Sequence, residues 1–448
     1  MLGVPGLVGV GLGTMLGGIF TTIGVGTATG GPVGVLAAFA LSGLACAFVS
    51  LCYAELASMV PIAGSAYTYA YATLGEAVAW IIGWDLILEY GVSVAPVAAS
   101  WSGYVQAFLA SYGVTLPAWA RVANLTFATG GIDIAHSQID VLAIAAVLGI
   151  AALVAIGIRE SAAVNGALVA VQLAAMLVFV AALRGAVHGS YFRPAFPTGA
   201  SGVISAAALV FFAYIGFDTV TVASEEARDP ARTVPRAILI SLAIGMVLYL
   251  GIAVVTVGTV PWRTIDHDAG MADAVRLAGA SPLVGAIVTA GAVAGTTTVM
   301  LTSLLGQVRI FYVMARDRML PPVVARVNAR TQTPVGTTLA TGAVVAFLAG
   351  VLPLRVLLEF VNIGTLSAFA IVCAGVLVLR RIDPGAERPF RVPAVRLVAT
   401  LGCGMCLYLM FGGLGPATWL RFIVWFAVGV AFYAAYGYRH STLARRAR

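Results

Sequence analysis

The chain has 448 residues, 61% hydrophobic and 10% charged, with a mean hydropathy of +1.01 and a formal net charge of +7. Soluble proteins carry about 25% charged residues, so this chain cannot cover a water-facing surface and its solvent is lipid. The basic residues are spread among loops rather than gathered on one face, so the positive charge implies no nucleic-acid partner.

All 25 basic residues are Arg. No side-chain amine is available to any chemistry, and a nucleotide-binding P-loop with its Lys cannot be written. Cys46, Cys52, Cys373, Cys403 and Cys406 all lie in apolar runs, where Cys403-x-x-Cys406 reads as two small packing residues rather than a redox pair. His136, His188, His267 and His440 do not cluster, so neither a metal site nor a cofactor is read. No convergent catalytic set is present, which argues against an enzyme. The first 28 residues lack a basic leader and read as a membrane span rather than a cleavable signal.

Apolar runs long enough to cross a bilayer fall near 2–28, 33–54, 77–108, 140–158, 161–183, 201–224, 237–260, 283–308, 335–354, 356–379, 397–420 and 422–438. They predict an all-α integral membrane protein with 12 transmembrane helices in a single domain over 1–448. Span one carries GLGTMLGGIF, with Gly17, Gly18 and Ile19. Span three carries Asp85 and Glu89, four apart on one helix face, as structural acids or as substrate- or proton-facing carboxylates. Span five carries Gln172. Span six reads VFFAYIGFDTVTV, and Asp218 is the only charge between residues 201 and 224. An acid in hydrocarbon costs about 2.5–3.5 kcal/mol on insertion scales, so it needs a reason. Glu225, Glu226, Arg228, Asp229, Arg232 and Arg236 follow as a solvated loop. Span eight carries Met300.

With the N-terminus inside, 18 Arg fall on the cytoplasmic side. The other seven are Arg121, Arg184, Arg193, Arg263, Arg276, Arg355 and Arg421. This asymmetry predicts a multi-pass protein of the cell (plasma or inner) membrane with both termini cytoplasmic. Residues 1–184 and 201–380 are blocks of nearly equal length with five spans each, and 393–438 holds spans eleven and twelve. An odd number of spans inverts the second block, and inverted repeats mark secondary transporters.

The first span of each block should then be a broken helix. Amides at a half-helix start favour a carboxylate, and carbonyls at a half-helix end favour an ammonium. An amino acid offers both. Gly17-Gly18-Ile19 and Phe212-Ala213-Tyr214-Ile215-Gly216 would be the matched pair. The alternative is that the glycines only let helices pack closely.

CYAELASMVPIAGSAYTYAYATLGEAVAWIIGWDLILEY (52–90), FFAYIGFDTVTVASEEARDP (211–230), TTTVMLTSLLGQVRIFYVMARDRMLP (296–321) and VNIGTLSAF (361–369) resemble one family in four stretches spread over nearly the whole chain. It is the cationic amino acid transporter branch of the amino acid–polyamine–organocation superfamily. The resemblance implies the leucine-transporter-type fold, a 5+5 inverted repeat with broken helices 1 and 6 plus two peripheral helices, and amino acid transport. The chain departs from the family in three ways. The usual Gly-x-Gly of span one is contracted to Gly17-Gly18, Met1 lies almost at the membrane, and Gln172 stands where bacterial relatives often carry a Lys.

By the same resemblance, Met300 looks into the side-chain pocket, and its bulk favours small neutral amino acids. A pairing of Glu89 with a cationic side chain would favour Arg, Lys or a polyamine instead. A channel would need repeated pore rings or a carbonyl filter, and the sequence offers neither. Gln172 brings a single neutral carbonyl, so no sodium dependence is expected. Proton coupling would run through Asp218 or Glu89. Without a partner cation, burial should favour the protonated form of Asp218, which suits exchange or facilitated flow.

Overall fold

With no water in the bilayer core, backbone groups must pair within their own segment, so these apolar runs have to be helices. The computed structural model describes residues 1–441 other than 61–64, 74, 125–126, 129–130, 133–136, 158–161 and 266. His136 and the Arg445–Arg446 tail lie outside the described residues, as does the side chain of Glu225. Ten helices among the described residues are long and apolar enough to cross a membrane. Two further expected spans form shorter apolar helices, Val141–Ile156 and Val335–Val351. Among the described residues, the only paired strands are Phe127–Ala128 and Gly131–Ile132, two residues each.

The first span is α1 (Val4–Met15) followed by α2 (Gly17–Gly30), and the second is α3 (Pro32–Met59). A short buried helix, α4 (Ser65–Thr73), precedes α5 (Glu76–Leu86). The third span continues as a π-helical segment, Ile87–Val92, and then α6 (Val94–Ser111). Next come α7 (Val141–Ile156), α8 (Ala162–Leu183) and α9 (Gly199–Val210). The sixth span ends in α10 (Thr219–Val222), and the seventh is α11 (Pro230–Thr259). A second short helix, α12 (Gly270–Leu277), leads into α13 (Pro282–Arg316). The chain then forms α14 (Val335–Val351), α15 (Leu354–Ile382), α16 (Val395–Gly413) and α17 (Pro416–Phe432).

Packing brings distant segments together. The helix α3 lies along α11, α7 along α14, α8 along α13, and α15 along the third span. The helices α16 and α17 pack on α15 from outside. Phe217 and Phe369 stand 5.5 Å apart, and Tyr53 meets both rings, so the second, sixth and tenth spans share one aromatic cluster.

An ion-pair strap closes one end of that cluster. Glu55, at 1% exposure, accepts from Arg380 Nε at 2.8 Å and Nη2 at 2.6 Å. Arg388 Nε lies 3.3 Å from the same carboxylate, and the Val392 amide donates to it at 2.8 Å. The strap ties the end of α3 to the end of α15 and to the loop that follows. Removing one partner of a buried pair strands the other charge, at a cost of about 3–5 kcal/mol. Glu55→Ala is therefore expected to lose that much stability in detergent unfolding followed by tryptophan fluorescence, whereas Arg381→Ala, on the exposed side of the same turn, stays near wild type. Equal unfolding of the two variants would show that the strap does not hold these elements.

Candidate functional site

The two broken spans meet in the interior. In the first, α1 stops at Met15 and α2 starts at Gly17. The interruption is a single residue. Leu16 keeps helical dihedrals (φ −62°, ψ −27°), and its amide still reaches Leu12 O at 2.8 Å. The contracted Gly17-Gly18 thus accompanies a narrow break. The amides of Gly17, Gly18 and Ile19 form the first turn of α2, where a helix has no intrahelical acceptor to offer.

The sixth span opens further. After α9 the chain makes a 3₁₀ turn, Phe211–Tyr214, and then extends at Ile215 (ψ 137°). Gly216 adopts φ +116°, and a Cβ there would sit 3.0 Å from Thr14 Cγ2. Only glycine suits both conditions. The Gly216 and Phe217 amides have no acceptor among the described residues.

The breaks touch. A Cβ on Gly18 would lie 2.6 Å from Ala213 Cα, and one on Gly17 would lie 3.0 Å from Gly295 O of α13. Close packing and first-turn amides therefore occur in the same glycines. Side chains from other spans pair most of the carbonyls freed at the end of α9. Ser42 donates to Ala207 O at 2.7 Å. Asn362 donates to Ala208 O at 2.7 Å and to Leu209 O at 3.0 Å. The Tyr249 hydroxyl lies 2.6 Å from Met15 O and 2.9 Å from Ala213 O, bridging the two breaks. Tyr214 donates to Phe39 O at 2.9 Å.

A cavity of about 20 Å³ lies where the breaks meet, bounded by Gly18, Gly216, Phe212 and Ile215. It holds a water and no more. Val299 and Ser303 of α13 form another wall, and Thr14, Thr219 and Ser93 add hydroxyls. Glu89 and Asp218 line it side by side. Asp218 Oδ2 accepts from the Tyr90 hydroxyl at 2.5 Å and from Ser65 Oγ at 3.1 Å, while Oδ1 has no partner. Neither Glu89 oxygen meets a hydrogen-bond donor.

The remaining candidates stand apart from the cavity. Asp85 is buried beside Ser367. It lies one turn from Glu89, near enough to act on it electrostatically, but does not line the cavity. Met300 is buried, but Val299 and Ser303 supply the cavity wall from its helix. Gln172 packs on Gly295, and its carboxamide N and O are both unpaired. Sequence reasoning missed Tyr90, Ser65, Thr14, Ser303, Tyr249 and Asn362. Only Asn362, an amide within an apolar span, carried a local signal.

Both ends of the site are covered. On one side, Gly270 of α12 lies against Gly24, where a Cβ would come 2.9 Å from Gly24 Cα. Ser100 Oγ is within 3.3 Å of Phe20 O and 3.2 Å of Asp268 O. On the other side α4 lies beneath Asp218.

A family model described as amino acid permease matches residues 2–432. A branched-chain amino acid permease of Bacillus subtilis is 40% identical over 99% of this chain and 94% of its own. A methylthioribose transporter of the same organism is 40% identical over 97% and 92%. A vacuolar cationic amino acid transporter of Arabidopsis thaliana is 37% identical over 84% of this chain and 63% of its own. A manganese transporter of Eremococcus coleocola superposes with a TM-score of 0.56 at 12% identity, over 96% of this chain and 92% of that one, a likeness of fold alone. The chain belongs to the amino acid permease family, within the amino acid–polyamine–organocation superfamily.

Proposed function

We propose that this permease carries neutral L-amino acids with aliphatic side chains, from alanine to branched-chain size, across the cell membrane by alternating access. The contact between two helix breaks at a closed cavity carries this reading. The amides at Gly17–Ile19 suit the α-carboxylate, and the carbonyls at Phe212–Ile215 suit the α-amine. Val299, Ile215 and Phe212 give the side chain an apolar wall. Size selection then rests on Val299 rather than on Met300. The name of the Bacillus subtilis branched-chain permease points the same way.

A 5+5 inverted repeat with 12 spans and cytoplasmic termini fits the packing. Adding five to each span number maps the pairs two–seven and four–nine onto themselves and exchanges three–ten with five–eight, and these are the pairs that pack. The helices α7 and α14, the two shorter apolar ones, are partners under that exchange. The closed cavity suits an occluded state between the two accesses.

A second reading, a cationic substrate, is favoured by one observation. Both oxygens of Glu89 line the cavity without a partner, and cationic transporters are among the relatives. The neutral reading instead gives Glu89 and Asp218 a shared proton, because two adjacent carboxylates in a closed site repel. At Gln172 a sodium ion would find one neutral carbonyl where it needs several hard oxygens.

In proteoliposomes, leucine, valine or alanine is expected to inhibit labelled leucine uptake at least about tenfold better than arginine, lysine or putrescine, a difference of ~1.4 kcal/mol. The reverse order would assign the cavity to cationic substrates. Uptake is expected to survive replacement of sodium by choline and to rise with an inward proton gradient. Glu89→Gln should abolish that rise while leaving substrate exchange measurable. Sodium-driven accumulation would overturn the coupling scheme.

A further inference from the structure

Beneath the cavity, α4 is buried although it is too short to span. Ser65, Tyr67 and Tyr69 are each no more than 1% exposed. The helix is held at two points. Ser65 Oγ donates to Asp218 Oδ2 at 3.1 Å, across 153 residues of sequence. The Tyr67 hydroxyl donates to Asp317 Oδ2 at 3.0 Å, just beyond α13. The Tyr67 ring also packs on the third span, where a Cβ on Gly83 would lie 2.9 Å from it.

Ser65 sits at φ +54°, a region that a residue with a Cβ occupies only when its surroundings impose it. In this conformation its hydroxyl is aimed at Asp218. That carboxyl has two roles. One oxygen holds Ser65, while the other is unpartnered in a residue that lines the cavity.

We propose that α4 is the inner gate of the permease and that Ser65 is its latch, a positioning residue that ties the gate to the carboxyl shared with the cavity. A substrate that draws Asp218 toward the cavity takes the acceptor from Ser65 and frees α4, so occupancy of the site and release on that side are linked. Tyr67 and Asp317 form the far anchor, on which α4 pivots. The side assignment and the substrate rest on the proposed transport function, but the latch itself does not.

The test is hydrogen–deuterium exchange on the full chain in lipid nanodiscs without substrate, comparing wild type, Ser65→Ala and Ser65→Gly. A latch requires the α4 amides to exchange at least about tenfold faster in both variants, with α12 unchanged. Glycine separates this from a purely structural role, because it relaxes the φ +54° backbone yet lacks the hydroxyl. Wild-type or slower α4 exchange in Ser65→Gly would overturn the proposal. If Ser65→Ala does not reach the membrane, Ser65→Gly alone decides.

A transport readout complements it. Freeing the inner gate draws the population away from the outward-facing form, so the apparent KM for external substrate should rise about threefold at unchanged maximal rate. An unchanged KM, with rates normalised to the amount of protein reconstituted, would also overturn it. Absence of uptake in every form, with α4 exchange still responding to Ser65, would reject the transport reading and leave the latch standing.

Discussion

A helix that stops inside a bilayer leaves amides and carbonyls that no water can receive, at a cost of roughly 2–7 kcal/mol for each unpaired group. This protein stops two helices at the same place and presses them together at Gly18 and Ala213. Much of the surrounding architecture answers that constraint. Spans two, seven and ten each send a polar side chain to the broken backbone, through Ser42, Tyr249 and Asn362. The groups they leave unpaired are amides at the start of α2 and at Gly216 and Phe217, beside a cavity. A backbone that pairs the carbonyls at the end of α9, and leaves these amides and the carbonyls of Tyr214 and Ile215 without a backbone partner, suits the two α-groups of the proposed substrate.

The acids belong to the same logic. Asp218 is stabilised in the interior by two hydroxyls, Tyr90 and Ser65. Glu89 has no such support and lies beside Asp218 in the cavity wall. Asp218 thereby joins the sixth span and the cavity to α4, and the Gly24–Gly270 contact joins the first span to α12. The space between the two covers has room only for a water, so a substrate can enter only as one cover moves. On the proposed reading, transport turns on the backbone geometry at the breaks and on the two short helices that cover them.

Much of this was legible in the sequence. The apolar runs gave the spans because lipid admits little but helices. Asp218 and Gly216 marked the sixth-span break, since an acid and a glycine in one apolar run both need explanation. The rotation of each helix about its own axis was not legible. Span eight is apolar on most sides, so nothing local distinguishes Met300 from Val299, one position and about 100° away. In span three Asp85 and Glu89 lie one turn apart, and nothing local shows that Glu89 alone lines the cavity. Ser65, Tyr249 and Asn362 act across 153 to 234 residues of sequence, a range that no local pattern reports.

The central claim is that backbone at the two breaks binds both α-groups of an amino acid. The most direct measurement is competition against labelled leucine by analogues that keep the side chain and change one α-group, namely leucinamide and isoamylamine. Both are expected to compete at least about tenfold worse than leucine, the loss of ~1.4 kcal/mol or more that follows when a buried donor or acceptor goes unmet. Competition by either analogue as strong as that of leucine itself would contradict the claim and leave the paired breaks as a packing device.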